Sequence, residues 1–211
     1  MQGLYLVTPN WDDTVKLLAV TEQALSAGVG ILQYRHKDAG IDLRIEQATA
    51  LQELCRRYRV PFIINDHIDL ALQLDADGVH VGGTDTKVAQ VRALLGAGKI
   101  IGASCYGDMR LALDAQAAGA SYVAFGGFYP SLVKKYAVTT QPSIIDEALA
   151  QVALPNCVIG GMTPENAAPL VARGTHMVAA ITSVYQASDP AGAVRAFNLL
   201  FERQGNRAQA A

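Results

Sequence analysis

Short apolar runs alternate with amphipathic stretches along the whole chain. The apolar runs predict strands near 3–7, 30–34, 61–64, 78–81, 100–103, 121–125, 156–159 and 177–181. Between them, apolar residues at helical spacing predict helices near 13–27, 42–58, 67–73, 85–95, 108–118, 143–151 and 164–172, with a last helix over about 190–203. Strands that alternate with helices in this way are parallel and joined by crossovers. Runs such as Pro61-Phe62-Ile63-Ile64 are apolar at nearly every position, which suits strands covered on both faces. A glycine recurs just ahead of a strand, at Gly28, Gly119 and Gly174. Glycine there can take the left-handed conformation that ends a helix and turns the chain into the next strand.

Eight such units predict a (β/α)8 TIM barrel, an α/β fold in one domain over residues 1–203, with a flexible polar tail at 204–211. The 211 residues suffice for a small barrel of this kind. A doubly wound open sheet is the alternative. It calls for a Gly-x-Gly-x-x-Gly turn after the first strand, and Val7-Thr8-Pro9-Asn10 has none. The segment 126–142 holds Pro130 and Pro142 and is long for a connection, which marks it as a lid or binding loop.

Composition narrows the partners. The chain has 17 basic and 19 acidic residues and a formal net charge of -2, so it carries no electrostatic footprint for nucleic acid or an anionic membrane. No apolar run approaches the ~18 residues needed to span a bilayer. Cys55, Cys105 and Cys157 are far apart and form no metal-ligand spacing, as expected of reduced thiols in a cytoplasmic protein. The first residues, Met1 to Val7, lack the features of a signal peptide. A homo-oligomer is compatible with a small barrel, though nothing in the chain specifies one.

In such barrels the site is built where strands end at the C-terminal mouth. After the second strand, Gln33, Arg35 and Lys37 share one face with Ile31, so that face begins inside the barrel and ends at its mouth. Two cations there suit an anionic group; a solvated loop with an ion pair is the other reading. Asp66 follows the third strand after Asn65, and Asp85 follows the fourth. Singly, each aspartate reads as a cap of the next helix; as a pair, they read as oxygen ligands for one Mg2+. Ser104, after the fifth strand, is a hydrogen-bond donor rather than a nucleophile, since no Gly-x-Ser-x-Gly is present. The long loop offers Gly126, Gly127, Ser131, Lys134 and Lys135, or else is a plain basic turn. Gly160-Gly161 precede Thr163, an N-cap, and Pro164 at the first helical position. They form either a tight turn or a set of amide donors for phosphate, together with Ile181-Thr182-Ser183 after the eighth strand. His80 lies within a strand pattern and reads as a satisfied core residue.

Taken in order, these segments resemble the thiamine phosphate synthase family from Gly3-Leu4-Tyr5-Leu6-Val7-Thr8 to about Phe201. The most specific pieces are Gln33-Tyr34-Arg35-His36-Lys37, Ile64-Asn65-Asp66, Gly78-Val79-His80-Val81-Gly82 and Ile159-Gly160-Gly161. The resemblance implies a Mg2+-dependent transferase that joins hydroxymethylpyrimidine diphosphate to hydroxyethylthiazole phosphate. By resemblance, Gln33, Tyr34, Arg35, His36, Lys37, Asn65, Ser104 and Lys134 would hold the pyrimidine diphosphate, and Asp66 and Asp85 the Mg2+. Ser131, Leu132, Val133, Gly161, Ile181 and Thr182 would contact the thiazole phosphate. Arg35, Lys37, Ser104 and Lys134 would serve catalysis. Two departures stand out: Ser131-Leu132-Val133-Lys134 in place of the family's Thr-x-Thr-Lys, and Gly83-Thr84-Asp85 in place of Gln-Glu-Asp. They leave open a thiazole tautomerase-like relative, a non-catalytic binder of a thiamine intermediate, or another phosphosugar barrel.

Overall fold

Alternate residues of a strand face opposite sides, and here both sides are dry. In β1 (Gly3–Val7), Tyr5 and Val7 pack to one side while Leu4 and Leu6 pack to the other, and all four are buried. The same split recurs in β2 (Ile31–Tyr34), with Ile31 opposed to Leu32 and Tyr34, and in β3 (Phe62–Asn65), with Ile63 opposed to Phe62 and Ile64. The first side is the interior of a closed barrel; the second meets the helices.

The computed structural model describes residues 1–82, 88–130 and 140–209. The strands pair in parallel and in chain order, from β1 and β2 to β3, β4 (Gly78–Val81), β5 (Ile100–Tyr106), β6 (Tyr122–Gly126), β7 (Asn156–Ile159) and β8 (Met177–Ala180). β8 closes the ring onto β1, with Leu4 opposite Val178 and Leu6 opposite Ala180. The connecting helices are α1 (Thr14–Ser26), α2 (Ile41–Tyr58), α3 (Ile68–Gln73), α4 (Val88–Leu95), α5 (Met109–Ala117), α6 (Ser143–Gln151) and α7 (Pro164–Ala172). After β8 come α8 (Thr182–Tyr185) and α9 (Pro190–Gln209). The open-sheet alternative is thereby excluded.

Local signals set several boundaries. Asp13 caps α1 by accepting from the Lys16 amide at 2.9 Å. Gly28, Gly119 and Gly174 turn helices into strands at φ of +98°, +90° and +107°. Three features depart from expectation. β5 continues to Tyr106, with a register irregularity between Ser104 and Tyr106 and a left-handed Tyr106 at φ 51°. α8 has only four residues, too few to show a period in sequence. α9 runs to Gln209 rather than ending near 203; its continuation holds no proline, and Gln204, Arg207, Ala208 and Gln209 favour a helix while Gly205 and Asn206 do not.

The barrel interior is filled, and one glycine makes that possible. A Cβ on Gly102 of β5 would stand 2.0 Å from Tyr122 Cζ and 2.6 Å from His80 Nδ1. The Tyr122 ring therefore occupies the space that any larger side chain at 102 would need. Replacing Gly102 with Ala is expected to lower stability by about 1–3 kcal/mol through overpacking. Gly98→Ala, whose Cβ meets nothing within 4 Å, is the control. Urea denaturation midpoints check both, and equal midpoints would show that Tyr122 has room to move.

Candidate active site

The mouth begins where β2 leaves its ladder. Thr8, fully buried just after β1, takes over as partner: its amide donates to Gln33 O at 3.0 Å, its hydroxyl accepts from the Arg35 amide at 2.8 Å and donates to Arg35 O at 3.2 Å. One hydroxyl thus satisfies both backbone groups of a residue that has passed the end of the strand. The parity set inside the barrel is kept, and Gln33, Arg35 and Lys37 all line the central cavity at the C-terminal mouth. Arg35 is 8% exposed, so its guanidinium is held at a shielded site where an anion would be bound strongly.

β3 delivers the acidic part. Asp66 takes a left-handed backbone at φ 62°, rare for a residue with a side chain, while its amide stays tied to His80 O at 2.9 Å. Its carboxylate accepts from Asn65 Nδ2 at 2.7 Å and lies 3.5 Å from Lys37 Nζ. The residue at the N-cap of α3 is His67, without a side-chain capping bond, so Asp66 is not spent as a helix cap. Asp66 and Asn65 border the same cavity as the two cations. No group of three or more His, Cys, Asp or Glu side chains placed to hold a metal occurs among the described residues. Asp66 instead offers a single hard oxygen donor. That fits an ion such as Mg2+, which keeps waters and phosphate oxygens as its other ligands.

The floor of the cavity is polar, although the strands that form it are apolar. Tyr5, His80 and Tyr122 point inward, and a hydrogen-bonded chain joins Gln33 to Tyr5, Tyr122, His80 and Ser104. His80 is satisfied, as its strand pattern suggested, but its Nε2 lies 2.9 Å from Ser104 Oγ at the edge of the mouth. Cys157 also lines the floor, and burial holds its thiol well above the ordinary range, so it supplies no thiolate.

A second lobe opens on the β6–β8 side. It is lined by Gly126 at the end of β6 with Gly127 and Tyr129 beyond it, by Gly160, Gly161 and Met162 after β7, and by Ile181 and Thr182 after β8. The two lobes share Ser104, Tyr106, Ala124, Ile159, Ala179 and Ile181, so they form one continuous mouth. Close approach accounts for the double glycine. A Cβ on Gly161, whose φ is +58°, would meet Pro130 O at 2.2 Å, and the Tyr129 amide donates to Gly160 O at 3.1 Å. Thr163 caps α7 in a reciprocal capping box: Asn166 Oδ1 accepts from the Thr163 amide at 2.8 Å. Asn166 Nδ2 also donates to Gly161 O at 2.8 Å, which anchors the glycine turn to the helix.

Of the residues singled out in the sequence, Gln33, Arg35, Lys37, Asn65, Asp66 and Ser104 meet in the first lobe, and Gly161, Ile181 and Thr182 in the second. Tyr34 and His36 are of opposite parity and do not line either lobe. Tyr34 Oη donates to Gln47 Oε1 of α2 at 3.1 Å, and His36 Nε2 lies 3.0 Å from Asp12. Both border a smaller cavity outside the barrel wall, shared with Lys37, Asn65, Asp66 and His67. Gly83, Thr84, Asp85, Ser131, Leu132, Val133 and Lys134 lie outside the described residues. Tyr106, a candidate acid or base for the tautomerase-like alternative, lines both lobes, while Thr8, Tyr5, Tyr122 and Tyr129, and His80 as more than a core residue, were not anticipated from sequence. Parity with Gln33 and Ser104 was the available signal for the inward ones, since an inward polar residue in an apolar strand needs partners.

Comparison with known proteins bears on this site. A thiamine-phosphate synthase of Janthinobacterium sp. (strain Marseille) is 66% identical over 203 residues, 96% of this chain and 98% of that protein. The solved structure of a thiamine phosphate pyrophosphorylase from Pyrococcus furiosus superposes with a TM-score of 0.85 at 28% identity, covering 96% of both chains. A 3-hexulose-6-phosphate synthase from Salmonella typhimurium, at 17% identity and a TM-score of 0.72 over 96% of this chain and 99% of that one, shares the fold alone. No helix among the described residues is long and apolar enough to cross a membrane. The thiamine monophosphate synthase family model matches residues 4–184, and with it the strands and loops that build both lobes: the chain belongs to that family of transferases.

Proposed function

We propose that the protein is a thiamine-phosphate synthase that joins hydroxymethylpyrimidine diphosphate to hydroxyethylthiazole phosphate, releasing diphosphate. The observation that carries this reading is the shape of the mouth. A lobe with Arg35, Lys37, Asn65 and Asp66 is continuous with a glycine-walled lobe bounded by Gly160, Gly161 and Thr182. Two anionic substrates can therefore lie side by side and meet near Ser104 and Ile159.

The chemistry needs a bond broken before another is made. The methylene C–O bond breaks, and its electron pair leaves with the diphosphate. The thiazole nitrogen then donates its lone pair to the cationic methylene carbon to form the C–N bond. Negative charge grows on the departing diphosphate, so donors fixed in a shielded site lower the barrier without having to reorganise. Arg35 and Lys37 would fill that role, and the resemblance gives Lys134 the same part. Asp66, with Asp85 by resemblance, would hold Mg2+, which when bound neutralises charge on the diphosphate. No covalent nucleophile is needed. The glycine turn and the short α8 sit where barrels of this class bind phosphate, after the seventh and eighth strands. Ser183 Oγ, in the first turn of α8, is buried with no partner among the described residues. Three buried free cysteines accord with a cytoplasmic setting. Nothing in the comparisons favours a tautomerase-like role.

Purified protein given both substrates is expected to release thiamine phosphate and diphosphate with Mg2+ and neither with a chelator. Binding of both without product would end the synthase reading. Asp66→Asn removes the anionic ligand and leaves the shape, so its kcat should fall by about 100- to 1000-fold while thermal unfolding changes little. A loss rescued by raised Mg2+ would place the defect in metal affinity. Arg35→Lys keeps the charge but loses the fork, and should depress kcat/KM for the diphosphate substrate more than for the thiazole phosphate. Equal effects on both would remove Arg35 from the diphosphate lobe.

A further inference from the structure

The chain of hydrogen bonds under the mouth has a direction. Gln33 Nε2 donates to Tyr5 Oη at 2.8 Å, Tyr5 Oη lies 2.6 Å from Tyr122 Oη, Tyr122 Oη lies 2.8 Å from His80 Nδ1, and His80 Nε2 lies 2.9 Å from Ser104 Oγ. It crosses the barrel from β2 to β5 through β1, β6 and β4. Burial raises both phenols well above their ordinary pKa, so each keeps its one proton at neutral pH. A phenol that accepts from one neighbour must donate to the next. Tyr5 accepts from Gln33, so it donates to Tyr122; Tyr122 then donates to His80 Nδ1. A neutral imidazole that accepts at Nδ1 carries its proton on Nε2 and donates to Ser104. The Ser104 proton is then left for whatever lies in the mouth. A doubly protonated His80 would donate to Tyr122, turn the Tyr122 proton onto Tyr5 and, while the Gln33 amide nitrogen stays on Tyr5, leave the Tyr5 proton without an acceptor in the chain. The rings cannot swing away: Tyr5 and Tyr122 meet edge to face at 5.7 Å, His80 stacks on Tyr122 at 5.7 Å, and Gly102 leaves just the space the Tyr122 ring fills.

We propose that Tyr5, Tyr122 and His80 are positioning residues that lock the hydrogen-bond role of Ser104 to that of Gln33. With the Gln33 amide nitrogen on Tyr5, Ser104 is a donor to the ligand. Turning the amide over reverses every bond, and Ser104 becomes an acceptor. With a neutral His80, Ser104 therefore offers its proton to a heteroaromatic ring in the first arrangement and only a lone pair in the second, and the mouth favours rings that match. What the two ends touch rests on the synthase reading; the coupling itself does not.

Histidine-selective 15N NMR on the ligand-free protein tests the coupling without substrate. The chain has 4 histidines, so a His80→Gln sample assigns the signal. His80 is expected as the Nε2–H tautomer. At pH 8 Gln33→Glu offers Tyr5 only acceptors, so it should flip His80 to the Nδ1–H tautomer three bonds away. In a Tyr5→Phe background the same substitution should leave the His80 tautomer as it is in Tyr5→Phe alone. An Nδ1–H ring in the unaltered protein, no flip with Gln33→Glu, or a flip that persists without the Tyr5 hydroxyl overturns the proposal. If Gln33→Glu does not fold, Ser104→Ala tests the chain from its other end. It should shift the Gln33 side-chain amide resonances only while the Tyr122 hydroxyl is present; unchanged resonances, or the same shift in Tyr122→Phe, overturn it. In the coupling assay Tyr5→Phe should lower kcat about tenfold, the scale of one hydrogen bond, with KM for the thiazole phosphate unchanged. An unaltered protein that makes no product would sink the synthase reading and leave the tautomer result standing.

Discussion

Everything at the mouth depends on how the inside of the barrel is filled. Closure of parallel strands leaves a core that must be packed to solid density, and side chains of alternate strands do the packing. Here the decisive contact is Tyr122 over Gly102. It places a large ring in the middle of the barrel and sets its hydroxyl between Tyr5 and His80. That ring is the floor on which the cavity stands. A wholly apolar layer would have filled the space equally well but would have left Gln33 and Ser104 with no partners below them.

A buried polar layer is a risk as much as a resource. Each unpaired group in a dry interior costs roughly 1–3 kcal/mol, so such layers are tolerable only when complete. This one is complete because its members come in a compatible order: an amide, two phenols, an imidazole and a hydroxyl, each able to pass on one proton. Phenylalanine at either tyrosine would break the sequence of donors without changing the packing much. The polarity of the floor is therefore a choice separable from the fold, and it is made by three hydroxyls and one ring.

Much of the fold was legible because its signal is local. Strands and helices announced themselves by period, Thr163 and Pro164 by cap chemistry, and the inward row Gln33, Arg35, Lys37 by parity from Ile31. The same parity already set Tyr34 and His36 on the other side of the wall, where the structure has them, even though the family's contiguous motif draws them in. What could not be read was the meeting of Tyr5, His80 and Tyr122. They lie on strands 42 to 117 residues apart in pairs, and only closure of the barrel brings them together. Thr8 was hidden for a similar reason: its role is to serve the backbone of Arg35, which no side-chain pattern reveals. The four residues of α8 and the irregular end of β5 fall below the length at which a period can be seen.

On the proposed reading the two lobes would hold their anions by different means. In the first lobe charge is carried by long side chains, Arg35 and Lys37, with Asp66 set against Lys37 at 3.5 Å. On the proposed reading such groups, held at a shielded site, would stabilise the charge that grows on a departing diphosphate without having to reorganise. In the second lobe the walls are backbone, drawn close at Gly160 and Gly161 and pinned by Asn166 through the Gly161 carbonyl. A phosphate held by a pinned turn stays still, and so does the ring attached to it. On the proposed reading the leaving group would lie against charged side chains and the nucleophile against a pinned turn. The shared wall of Ile159, Ala179 and Ile181 is apolar, and on the proposed reading it would keep water from the carbon between them. That division matters because a methylene cation reacts with the first lone pair it meets. A fixed nitrogen close at hand has the advantage over a diffusing water by the effective concentration that fixation confers.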